Sequence, residues 1–105
     1  MNINYDRFME EQKSNDLIAH YFSELVYRAR RVGTTITRLE LAKYLEVDSS
    51  LISHWLNGNR SFSNSQLNKV MDFMARYERI VSMKELRSGL ENLCNFMEEI
   101  THEEK

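Results

Sequence analysis

At 105 residues and 12.5 kDa the chain can build one domain around a single core, with an appendage at most. A hydrophobic share of 42% and a charged share of 29% exclude a disordered polar chain, and the absence of proline, with only Gly33, Gly58 and Gly89, excludes a turn-rich β-sandwich and leaves helix dominant. A net charge of −2 is unfavourable for a polyanionic partner taken as a total, but residues 27–60 hold the basic excess while residues 1–26 and 61–105 are acidic, the distribution of a modest basic face on a solvated protein.

Tyr5, Phe8 and Met9 share one face of a short first helix at about residues 4–12. From Asn15 or Asp16 a strongly amphipathic second helix runs to Arg31 with Leu17, Ile18, Tyr21, Phe22, Leu25, Val26 and Ala29 at steps of three and four. Arg28, Arg30 and Arg31 suit its negative dipole end, and Gly33 terminates it. Thr37 and Glu40 have the spacing of a reciprocal capping box and open a third helix at about 38–46. Asp48 caps a fourth, carrying Leu51, Ile52, Trp55 and Leu56, which ends at Asn57 and Gly58. Ser63 or Asn64 starts a fifth, running to about Val81 with Leu67, Val70, Met71, Phe73, Met74, Tyr77, Ile80 and Val81 on a wide apolar face. Ser82 and Glu85 then offer a second capping box before a heptad seam of Met83, Leu86, Leu90, Leu93, Met97 and Ile100, and the closing THEEK is expected to fray.

Residues 37–58, TRLELAKYLEVDSSLISHWLNG, combine these features in an order that single helices rarely produce by chance. A small Ala42 allows two helices to cross closely. Leu41, Leu45, Val47, Ile52 and Trp55 supply the buried positions, and the outer face of the second helix is left with the short polar side chains Ser49, Ser50, Ser53, His54 and Asn57. The stretch resembles the Cro and repressor-type (Xre-like) helix-turn-helix family, over about twenty-two residues locally and over about residues 15–81 in helix layout. The resemblance implies an all-α fold, a five-helix repressor-type bundle at 1–81 with an additional C-terminal helix at 82–105, and double-stranded DNA as partner. It places Ser49 and Ser50 at base edges, with Ser53 and His54 one turn further on against bases or phosphates. Arg38 falls where the family usually has a phosphate-contacting glutamine, and Lys43, Asn57, Asn59 and Arg60 are further backbone contacts. Two departures matter. Glu46 occupies a turn position that favours glycine, at a cost of roughly 1 kcal/mol. Serine discriminates bases poorly, which shifts specificity toward His54, Arg60 or DNA shape.

Members of that family usually pair, so that two recognition helices meet major grooves about 34 Å apart. The seam Met83, Leu86, Leu90, Leu93, Met97 and Ile100 is the candidate dimerisation element; its alternative is to fold back on its own domain, and Gly89 weakens it by about 1 kcal/mol. A helix swap or a bundle of two helices from each protomer is expected ahead of a long parallel zipper.

Cys94 stands alone, which excludes an internal disulfide, and it is expected in the core; His20, His54 and His102 are scattered, and there is no phosphate loop or metal-ligand spacing. The expectation is therefore no enzyme, no metal and no cofactor, and a cytoplasmic chain with no membrane partner, since no run approaches eighteen apolar residues. The function expected is a sequence-specific transcriptional regulator, a phage or mobile-element type repressor acting as a homodimer. A protein-interaction module reusing the bundle and a DNA-packaging or partition adaptor are the other readings.

Overall fold

The computed structural model describes the backbone from Ile3 to Glu103 and side chains from Glu10 to Thr101, so the expected apolar face of Tyr5, Phe8 and Met9 lies outside the described residues, as do Glu104 and Lys105 of the tail. Among the described residues the fold is all-α, with four helices: α1 (Ile3–Arg31), α2 (Arg38–Leu45), α3 (Ser49–Leu56) and α4 (Asn64–Glu103). The expected count of five helices plus a sixth differs because two breaks are missing. Residues 4–12 and 15–31 form one helix, as do 64–81 and the C-terminal segment. Neither join holds a proline or glycine, and the residues expected to open new helices, Asn15 as a start and Ser82 in a capping box, are used otherwise. Asn15 is buried in the interior of α1, and the Ser82 hydroxyl donates back to Glu78 Oε1 (3.0 Å) one turn earlier in α4.

The first three helices stop in the same way. Past α1, Thr34 N–H donates to Ala29 O (2.8 Å) and Gly33 N–H to Arg30 O (3.2 Å), with Gly33 at φ 78°. Past α2, Val47 N–H reaches Ala42 O (3.0 Å) and Glu46 N–H reaches Lys43 O (3.2 Å), with Glu46 at φ 59°. Past α3, Asn59 N–H reaches His54 O (2.9 Å) and Gly58 N–H reaches Trp55 O (3.1 Å), with Gly58 at φ 80°. Each is a left-handed stop that satisfies two terminal carbonyls, and at the second of them a glutamate takes the conformation glycine prefers. At the helix starts, Thr37 Oγ1 accepts from Glu40 N–H (3.1 Å), and Asp48 Oδ1 accepts from Ser50 N–H (3.3 Å). The reciprocal capping box forms at Ser63 and Gln66: Ser63 Oγ accepts from Gln66 N–H and Gln66 Oε1 accepts from Ser63 N–H. Glu40 does not return to Thr37 in this manner; its carboxylate takes the Tyr77 hydroxyl of α4 at 2.6 Å, a partner 37 residues away that no local pattern announces.

The core is one cluster drawn from all four helices and their connections: Ala19, Phe22, Leu25 and Ala29 of α1, Leu41, Ala42 and Leu45 of α2, Ile52 and Trp55 of α3, Leu67, Val70, Phe73 and Val81 of α4, with Ile36 and Phe62 from loops. Trp55 stacks on Phe62 (centroids 5.0 Å apart) and lies tilted against Phe22 (6.3 Å). Leu17 and Tyr21, read as core-facing, are about half exposed. The buried stripe of α1 passes instead through Asn15, Ala19, Phe22 and Leu25, which rotates both of them outward. Met71 and Ile80 are likewise exposed on the outer side of α4, Leu39 is exposed on α2, and Val47 is half-buried in the turn.

Asn15 is the buried polar residue in this core, and it is fully used. Its Oδ1 accepts from Trp55 Nε1 (3.0 Å) and from Phe62 N–H (2.7 Å), while its Nδ2 donates to Glu11 O (2.8 Å) and Phe62 O (3.2 Å). One amide thus ties α1 to α3 and to the loop entering α4, and among the described residues no buried side-chain donor or acceptor is left open.

Val81 is the last fully buried residue of α4. On either side of it Arg28 of α1 makes a two-pronged bond to Glu85 (Nη2 to Oε1 2.6 Å, Nε to Oε2 3.1 Å) and a third to Glu78 (2.8 Å), and Lys84 donates to Thr34 (2.6 Å). From Leu86 to Thr101 every side chain is exposed: α4 leaves the domain as a bare helix, which accounts for principal extents of 75 × 32 × 20 Å. Cys94 lies on this projection and is exposed, contrary to its expected burial, because among the described residues the surrounding seam has no facing element.

Candidate nucleic-acid interface

α2 and α3 pack on one another, and each is held from behind: α2 by α4, α3 by α1. Ile52 (0% exposed) and Trp55 (2%) point into the core, so the 3.6-residue period turns Ser49, Ser50, Ser53, His54 and Asn57 to the opposite side. Ser49, Ser50, His54 and Asn57 are exposed, and Ser53 is half-buried. The short side chains leave the helix backbone close to its own surface, the condition for a helix to seat deeply in a groove.

Arg38 is the residue the structure brings onto this face from outside α3. Its Nη1 donates to Ser53 Oγ at 3.1 Å, joining a candidate backbone contact at the start of α2 to a candidate base contact in the middle of α3. Four donors of the guanidinium remain for an anion. Lys43 is exposed in the last turn of α2, and Asn59 and Arg60 are exposed in the loop following α3. The N-terminus of α3 is occupied by the chain's own Asp48 carboxylate, which leaves Arg38, Lys43 and Arg60 as the exposed cations of α2 and of the loop after α3. The dimerisation candidates Met83, Leu86, Leu90, Leu93, Met97 and Ile100 lie on the projecting half of α4, apart from this face, and are 39–59% exposed.

Two residues that matter to this face escaped the sequence reading in the roles they have. Asn15 acts through Trp55 and Phe62 and thereby sets how α3 and the loop bearing Asn59 and Arg60 sit on the domain. Its signal was a polar residue in phase with the apolar stripe of α1, at the position read as the start of a helix. Tyr77 holds Glu40, which opens α2; the bond to that carboxylate and partial burial push the phenol pKa up. Arg76 lies over the Tyr44 ring at 5.2 Å and braces the same α2–α4 contact.

Among the described residues no group of His, Cys, Asp and Glu is placed to hold a metal ion, and no helix is long and apolar enough to cross a membrane. No family model matches the chain, and neither the curated proteins nor the solved structures contain a match to it.

Proposed function

We propose that the chain is a sequence-specific DNA-binding transcriptional regulator, a repressor of the phage or mobile-element type, working as a homodimer without cofactor or catalytic activity. The observation that supports this reading is α3 itself: a short helix anchored from behind by Ile52 and Trp55 that presents Ser49, Ser50, His54 and Asn57 outward, with Arg38 beside Ser53. Ser49 and Ser50 meet base edges, Ser53 and His54 follow one turn on, and Arg38, Lys43, Asn57, Asn59 and Arg60 take phosphates. Bound at a roughly palindromic site near its own promoter, the dimer blocks polymerase by occupancy.

Binding of the purified protein to its own upstream DNA and to a scrambled duplex, across a salt series, tests the reading. Specific and salt-sensitive binding is expected. Arg38→Ala weakens binding to both duplexes and reduces the salt slope by about one, whereas Ser50→Ala alters the preference between them. If neither duplex binds at low salt, the reading fails and a protein-interaction module becomes the better account.

A further inference from the structure

The projecting half of α4 is a helix with an apolar seam, and from Leu86 to Thr101 none of the described residues covers it. Only about two and a half heptads long, such a segment is marginal in water by itself. We propose that it is covered by the same segment of a second copy running antiparallel, centred between Glu91 and Asn92. This rests on the homodimer reading and adds the geometry of the dimer.

The spacing of the seam accommodates this arrangement. Met83, Leu86, Leu90, Leu93, Met97 and Ile100 follow steps of three, four, three, four and three, a pattern that reads the same in both directions. An antiparallel copy therefore sets Met83 against Ile100 of the partner subunit, Leu86 against Met97 of the partner subunit, and Leu90 against Leu93 of the partner subunit, with every layer filled and none left over. Phe96, 58% exposed, lies just outside the seam, one heptad after Gly89 on the same flank. In the antiparallel register the ring of Phe96 of the partner subunit passes over Gly89, where a side chain is missing and the space is open. Gly89, which weakens the isolated helix, thus makes room for an aromatic ring in the pair.

Charge selects the same direction. Lys84 and Arg87 lie in the first half of the seam, and Glu98 and Glu99 in the second; of the two acidic residues in the first half, Glu85 is already bound by Arg28 and Glu91 sits at the midpoint, where it faces the same region in either direction. A parallel pair places each acidic end beside its own copy. An antiparallel pair places basic beside acidic at both ends, with Arg87 next to Glu98 of the partner subunit. The two domains then stand at opposite ends. With a rise of 1.5 Å per residue the two copies of Val81 are roughly 30 Å apart along the pair, so the two α3 faces are spaced more widely than in a compact dimer.

The experiment uses the full chain, without DNA, in a Cys94→Ser background. Sedimentation is expected to give a dimer, and Leu90→Asp, at an exposed position, to give a folded monomer of half the mass. Leu86→Cys and Met97→Cys together, oxidised and digested, are expected to yield the mixed 86–97 peptide pair linking two chains. Arg87→Glu weakens the dimer by about fivefold and Arg87→Glu with Glu98→Arg restores it. Disulfides of 86 to 86 and 97 to 97 would overturn the antiparallel geometry while leaving the homodimer standing. A monomeric parent, or a dimer indifferent to Leu90→Asp, would overturn the pairing altogether, and none of these results depends on whether DNA is bound.

Discussion

α4 is one continuous helix with two different surroundings. From Asn64 to Val81 its apolar residues meet α1 and α2, and Leu67, Val70, Phe73 and Val81 are buried; from Leu86 onward an equally regular set of leucines and methionines meets solvent. Backbone geometry and apolar period are alike in the two halves, so neither decides burial. What differs is the supply of facing elements: α1 stops at Arg31 and α2 at Leu45, and among the described residues no other element faces the rest of α4. The lesson is that a heptad pattern specifies a face, and the length of the neighbouring helices specifies whether that face is closed within the protomer.

The comparison breaks most sharply with the same substitution made in both halves. Leu67→Ala, at a position 3% exposed, should cost about 2–5 kcal/mol by urea denaturation, whereas Leu90→Ala, at a position 52% exposed, should change the stability of dilute protein by only about 0.5 kcal/mol. Comparable losses at the two sites would mean that the projecting half packs on its own domain after all. Next in size is Asn15→Leu. It removes the acceptor of Trp55 Nε1 and of Phe62 N–H in the packed half of the molecule, and a loss of about 1–3 kcal/mol is expected, with altered Trp55 fluorescence.

The packed region also contains the sharp left-handed stops that α4 lacks, and they sharpen the contrast from the other side. Glu46→Gly relieves a residue at φ 59° and should raise stability by up to about 1 kcal/mol, measured as an upward shift in Tm. Gly89 is helical, and no stop follows it. The smallest effect belongs to the boundary between the two halves. The bonds from Arg28 hold the carboxyls of Glu78 and Glu85 below their ordinary value near 4.5 and raise the guanidinium's own pKa. Because both folded carboxyl values are depressed, the stability they add is complete above about pH 4.5 and fades as pH falls through the lower folded values. Arg28→Met should therefore lower Tm by roughly a few degrees at neutral pH, and the loss should shrink as the pH falls below about 4.5. A difference that persists in acid would assign the effect to packing of the Arg28 stem.

Much of the domain was legible from spacing. The starts of α2 and α3 at Thr37 and Asp48, the stops at Gly33 and Gly58, and the inward Ile52 and Trp55 are all local consequences of residue type, because caps and left-handed stops close within a few residues. The outward face of α3 was legible for the same reason. The joins within α1 and α4 were not. Ser14, Asn15 and Ser82 are residue types that cap helices when exposed, and whether they do so depends on distant groups: Phe62 and Trp55 for Asn15, Glu78 and Arg28 for Ser82.

By itself, then, the amino-acid order determined an all-helical chain, the helix-turn-helix arrangement of α2 and α3, and the polar surface that α3 presents, since each follows from periodicity and capping within a span of a few turns. Tertiary structure decided the number of helices, the use of Asn15 as the polar centre of the core, the placement of Arg38 on Ser53, and the exposure of the α4 seam. These depend on contacts between residues 15–57 positions apart, whose free energies no local pattern contains.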